Sequence, residues 1–166
     1  VATGYIKAIS NLTRTADSTY VEDLNYAVGT ISEPGSTFKV AALMVGMEDG
    51  LIDIHDSVDT EGGRKRYYDR IMRDSHDGGY GRITVQRPLE VSSNTGISAV
   101  VHRAYDKDPQ RFVEGLRRLG LDRPLGVRIP GEGIPILRSP GDDGWSGVSL
   151  PWMSIGYELL LTPLQL

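Results

Sequence analysis

The sequence predicts an α+β domain in which helices dominate and a β-hairpin remnant opens the chain. Three observations carry this. Val1 to Thr13 is rich in strand-forming residues around Ala2-Thr3-Gly4, and Tyr5, Ile6, Ala8 and Ile9 follow, which suits the turn and second strand of a hairpin whose first strand is mostly missing. Three later segments carry helical caps or periodicity. Residues 121 to 150 are dense in Gly and Pro and read as loop with at most one short strand pair. At 166 residues the chain has the length of one domain.

Element by element, Glu33-Pro34-Gly35 breaks the chain, and Ser36 to Met47 then reads as a helix that stops near Gly50. Beyond Lys39 it is apolar nearly all round, the pattern of a buried helix. Residues 51 to 83 read as a surface excursion with strand-like fragments. Thr84 is expected to cap a short helix that tolerates Pro88 near its first turn and ends at Ser92-Ser93-Asn94. A helix from Thr95 to about Ala104 should follow. Asp108-Pro109 forms an N-cap and N1 pair for another, with Phe112, Leu116 and Leu119 on one face and Gly120 as its stop. Thr162 and Pro163 open one more helix just where the sequence stops, the pattern of a piece cut from a longer domain.

Net charge is −4, from 22 acidic and 18 basic residues, and cysteine is absent. The acidic balance argues against a general affinity for nucleic acid. The missing thiols exclude disulfides, thiolate zinc sites and a cysteine nucleophile. No apolar run is long enough for a membrane span. His55 among Asp53, Asp56 and Asp59, and His76 between Asp74 and Asp77, lack the spacing that puts metal ligands on one face, so no metal is expected. The basic run Arg64 to Arg73, with Tyr67 and Tyr68 interleaved, reads as a solvated strand face diluted by nearby acids.

The chemistry lies in Ser36-Thr37-Phe38-Lys39. One helical turn brings residues i and i+3 together, so the hydroxyl and the amine can meet. A serine needs a base to become a nucleophile, and a lysine serves when burial lowers its pKa. Eight uncharged residues follow Lys39, and no acid lies within four positions to hold its proton. At a helix N-terminus Ser36 would also have backbone N–H groups for a developing negative charge. With 13 Ser and 4 Lys, S-x-x-K arises by chance about 0.3 times in such a chain. Ser92-Ser93-Asn94, an S-x-N on a tight turn, has a chance count of about 0.2. Alone, each is equally the mark of an N-cap.

In conjunction they are specific. EPGSTFKV, EVSSNTGIS and SIGYELLLTPLQL, with VATGYIKAISN ahead of them and GLDRPLGVRIPGEG between, resemble the transpeptidase domain of class B penicillin-binding proteins, of the division or elongation type, over essentially the whole chain. The resemblance implies the penicillin-binding protein/β-lactamase-like fold, truncated, with residues 1–166 as a partial domain. It implies Ser36 as the acylated nucleophile, Lys39 as its base and Ser92 as the relay to the leaving amine. It further implies that Asn94 holds the substrate amide and steadies Lys39, and that Ser93 contacts substrate. The implied reaction attacks the D-alanyl-D-alanine end of a peptidoglycan stem peptide and passes the acyl group to an amine on a neighbouring strand, with no cofactor. β-Lactams would acylate Ser36. The third signature motif, K-T-G, occurs nowhere in the 166 residues, so this piece is expected to be nearly inactive, and its open strand edges to favour self-association. The parent protein would carry an N-terminal membrane anchor, work on the extracytoplasmic (periplasmic) face and meet other wall-synthesis proteins there. A D,D-carboxypeptidase or β-lactamase of the same fold, a non-catalytic scaffold and a β-lactam sensor are the alternatives.

Overall fold

The computed structural model describes residues 4–166. In chain order its strands are β1 (Leu12–Arg14), β2 (Tyr20–Glu22), β3 (Ser57–Asp59), β4 (Arg64–Tyr67), β5 (Arg70–Arg73), β6 (Arg82–Thr84), β7 (Ile136–Leu137) and β8 (Leu159–Leu160). Its α-helices are α1 (Tyr26–Gly29), α2 (Lys39–Glu48), α3 (Gln86–Glu90), α4 (Asn94–Tyr105), α5 (Pro109–Arg118) and α6 (Ser149–Met153). A 3₁₀ turn, Gly35–Phe38, leads directly into α2.

The apolar run after Lys39 makes α2 the hub. It packs against α4 and α5, and α4 packs in turn on α6. Phe38, Ala42 and Val45 meet Ile97 and Val101 of α4, Phe112, Val113 and Leu116 of α5, and Met153 of α6 in one buried cluster. Asp49 at the C-terminal end of α2 ties the layers together. It accepts from Tyr105 Oη at 2.9 Å, from Arg111 Nε at 3.1 Å and from Arg118 at 2.6 Å. Asp108 caps α5 through Arg111 N at 3.3 Å, as the Asp-Pro pair predicts.

Around this helical core lie four separate two-stranded antiparallel ladders among the described residues: β1–β2, β3–β6, β4–β5 and β7–β8. In several places the fold departs from what the sequence predicts. The opening hairpin is displaced: Tyr5 to Ile9 is not a strand, the pairing is Leu12–Arg14 with Tyr20–Glu22, and the expected turn at Ala2-Thr3-Gly4 falls partly outside the described residues. Strand-forming residues alone do not make a strand; a partner must supply the ladder. Helix α2 is not buried all round, because Val40 and Met44 are each 50% exposed and Met47 46%, an apolar stripe on one face. Thr84 does not cap α3. It closes β6 opposite Ser57, and the helix begins after Val85 with no side-chain cap. The 51–83 segment is more than an excursion, since Val58, Tyr67 and Met72 belong to the core. The loop predicted for 121–150 is observed apart from β7 and the start of α6 at Ser149, a helix whose Pro151 is tolerated in the first turn. The short strand β7 finds its partner at Leu159–Leu160, outside that segment.

The closest helix contact in the core rests on Gly115, where a Cβ would stand 2.1 Å from Val45 Cγ1. Gly115→Ala should therefore lower stability by about 1–3 kcal/mol through overpacking. Adding Val45→Ala should return part of that loss despite being a truncation itself. Urea midpoints of the three variants test this, and an unchanged midpoint in Gly115→Ala would refute the crossing geometry.

Candidate active site

Ser36 and Lys39 lie at opposite ends of a 3₁₀ turn, and this is the local reason they share a side. At three residues per turn, i and i+3 are eclipsed, and Lys39 N donates to Ser36 O. Gly35 takes φ +58°, a left-handed conformation that favours glycine, and its N–H donates to Gly156 O at 2.9 Å. Gly156 itself takes φ +85°, and a Cβ there would lie 2.0 Å from Gly35 O. The segment 154–157 thus backs the turn so closely that no side chain fits between them. Ser36 is exposed, and among the described residues its hydroxyl makes no hydrogen bond.

Lys39 is only 1% exposed. Its Nζ donates to Ser92 O at 2.7 Å and to Ser92 Oγ at 3.0 Å. Ser92 holds φ +55°, an uncommon conformation for a residue with a side chain, and in it both oxygens reach the same ammonium. Burial pushes the Lys39 pKa down to about 8, with the Asp74 carboxylate pulling weakly the other way. The lysine can therefore lose its proton near neutral pH, which an exposed lysine cannot.

The structure joins Lys39 to Ser92 and sets Ser36 one turn before Lys39. The other two residues of the motif make hydrogen bonds within the fold. Ser93 is turned inward. It is 1% exposed, caps α4 by accepting from Gly96 N at 2.9 Å, and donates to Asp74 Oδ2 at 2.8 Å. Its hydroxyl is engaged at the start of the helix. Asn94 sits beside the site but does not hold Lys39; its Nδ2 donates to Arg73 O at 2.9 Å, fastening strand β5 to the helix.

Asp74 is the residue the sequence does not reveal. Besides Ser93 it accepts from Thr95 N and Thr95 Oγ1, each at 2.9 Å. A carboxylate at a helix N-terminus satisfies free N–H groups and the dipole together. It stands 19 residues from Ser93 in the chain, and only folding makes it a cap. Asp74 and His76, near neighbours in the chain, part in the fold, where His76 stacks on Tyr80 with ring centroids 5.2 Å apart. Among the described residues no three His, Cys, Asp or Glu side chains gather where they could hold a metal ion.

Residues 1–166 match the family described as the penicillin binding protein transpeptidase domain. Penicillin-binding protein PbpB of Mycolicibacterium smegmatis is 33% identical over 142 residues, covering 86% of this chain and 21% of that protein. Peptidoglycan D,D-transpeptidase FtsI of Escherichia coli is 28% identical, with 86% and 23% covered. The chain thus spans about a fifth of the length of these curated relatives. Among solved structures, the apo transpeptidase domain of Burkholderia pseudomallei penicillin-binding protein 3 superposes with a TM-score of 0.75 at 23% identity, over 85% of this chain and 40% of that one. No helix among the described residues is long and apolar enough to cross a membrane.

The buried lysine carries a stability signature. Below about pH 8 both the folded and the unfolded chain hold the proton, and the folded chain bears the full cost of burying the charge. Between about 8 and the ordinary lysine value the unfolded chain binds more protons, so stability should rise with pH, by up to about 3 kcal/mol. Lys39→Met should flatten that rise and be the more stable protein at pH 7. Denaturant titrations from pH 6 to 10 check both signs; a wild-type curve that falls with pH above 8 would exclude the buried neutral amine.

Proposed function

The chain belongs to the penicillin-binding protein transpeptidase family, and from that premise we propose that residues 1–166 are part of a serine D,D-transpeptidase domain that works through an acyl-enzyme on Ser36. The observation that carries the reading is the buried Lys39, one turn from an exposed serine and hydrogen-bonded to Ser92 Oγ at 3.0 Å. Ser36 Oγ attacks the carbonyl carbon of the D-alanyl-D-alanine peptide bond while its proton passes to the neutral Lys39 Nζ. The oxyanion forms beside the Ser36 backbone N–H, in a first turn whose N–H groups have no intrahelical acceptor. Ser92, in contact with Lys39, relays a proton to the departing D-alanine nitrogen. The C–N bond breaks and an ester on Ser36 remains. An amine from a neighbouring strand then attacks the ester, loses its proton through the same relay and frees Ser36, leaving a peptide cross-link.

Penicillins enter the same step as acylating mimics. The substrate amide is assigned to Asn94, part-exposed two residues from Ser92, whose Nδ2 is bonded to Arg73 O. The residues 1–166 lack Lys-Thr-Gly, and the second oxyanion donor is assigned to a strand carrying it; losing one such donor lowers rates by about 10²- to 10³-fold. The whole protein is assigned to the extracytoplasmic face, where its peptidoglycan substrate lies.

Intact mass after incubation with a penicillin tests the chemistry on residues 1–166, on a longer chain that carries a Lys-Thr-Gly strand, and on that longer chain with Ser36→Ala. A covalent adduct on the longer chain alone is expected. An adduct that survives Ser36→Ala would dismiss Ser36 as the nucleophile, and a normal acylation rate for residues 1–166 would dismiss the need for the strand. In the longer chain the acylation rate should climb roughly tenfold per pH unit below about 8 and level off above it, following deprotonation of Lys39. A flat profile from pH 6 to 9 would remove Lys39 as the base.

A further inference from the structure

The β4–β5 hairpin carries a charge pattern that folding does not explain. In its register Arg64 stands directly opposite Arg73, and Arg66 lies two residues along on the same face. All three side chains are exposed, while Lys65, Tyr67 and Met72 alternate to the inner face. Like charges directly opposite across a ladder are destabilising. Some arginines find carboxylates: Arg87 pairs with Glu90, Arg103 with Asp56, and Arg111 and Arg118 with Asp49. Among the described residues Arg64, Arg66 and Arg73 pair with none. The neighbouring acid, Asp74, is turned inward to Ser93 and Thr95.

The hairpin is also held rigidly against the candidate site. Asn94 Nδ2 grips Arg73 O at 2.9 Å, Asp74 caps α4, and Tyr67 Oη donates to Ser98 Oγ of α4 at 3.0 Å. The unpaired arginines therefore begin at the very residue whose carbonyl joins the hairpin to Asn94, two positions after Ser92.

We propose that the outer face of this hairpin, through Arg64, Arg66 and Arg73, is a subsite for the carboxylates of an extended acidic peptide strand running to or from the Ser36–Lys39–Ser92 site. The assignment rests on the transpeptidase reading for what that site does. Arg64 and Arg66, two strand residues apart, repeat at about 7 Å, the same repeat as carboxylates on alternate residues of an extended peptide. The planar guanidinium fork matches a carboxylate in two hydrogen bonds. A long polyanion fits less well, because the chain as a whole is negative at −4.

Fluorescence anisotropy on the chain tests this with two labelled pentapeptides ending in D-alanyl-D-alanine, one carrying free side-chain carboxylates and one with them amidated. Arg64→Gln/Arg66→Gln should weaken the carboxylate peptide about tenfold, leave the amidated one within about twofold, and leave thermal stability equal or higher. Lys107→Gln/Arg128→Gln, which removes the same charge elsewhere, should change neither. Equal weakening by the two double variants, equal effects on both peptides, or tighter binding of an oligonucleotide than of the acidic peptide would each overturn the subsite. The penicillin adduct on the longer chain separates the two readings. An adduct on Ser36 with hairpin-independent peptide binding overturns the subsite alone, and hairpin-dependent binding without an adduct overturns the transpeptidase reading alone.

Discussion

The ammonium of Lys39, buried and bonded to both oxygens of Ser92, is the contact on which the rest depends. Burying a charge is costly unless hydrogen bonds replace water, and here the replacement comes from the start of another helix, 53 residues away. This one requirement fixes the separation of α2 and α4 at their N-terminal ends and demands the left-handed backbone at Ser92. It also leaves the amine poised near neutrality. The same burial that weakens the fold at pH 7 is what makes the lysine useful as a base.

The supporting parts are arranged so that strain and close contact accumulate around that point. Gly35 and Gly156 meet backbone to backbone, which sets where the Ser36 turn sits against the 154–157 segment. Asp74 and Ser93 together satisfy the first N–H groups of α4, so the Ser92 turn is held from both sides of the chain. The hairpin reaches the site through backbone and buried side chains while leaving three arginines exposed on its far face.

The outer flank of α2 shows the complementary situation. Val40, Met44 and Met47 form an exposed apolar stripe on a helix whose opposite face is the centre of the core. Single exposed apolar residues are ordinary, and a contiguous row of them is less so. The helix is nevertheless held by what lies on its inner side, where Phe38, Ala42 and Val45 have no contact with solvent.

The residues alone determined a good deal. The Asp108-Pro109 cap with its i, i+4 apolar face specifies α5, the break at Pro34-Gly35 specifies where the central helix starts, and the S-x-x-K spacing sets Ser36 and Lys39 one turn apart, because caps, periodicity and one-turn spacings act over a few neighbouring residues. What acts across the chain could not be read there. The strand partners, the exposure of one face of α2, the grip of Asn94 on Arg73 and the capping carboxylate of Asp74 depend on which distant segment arrives beside each residue. Tertiary structure decided those, since a ladder, a buried charge and a cap supplied from another element exist only when both partners are in place.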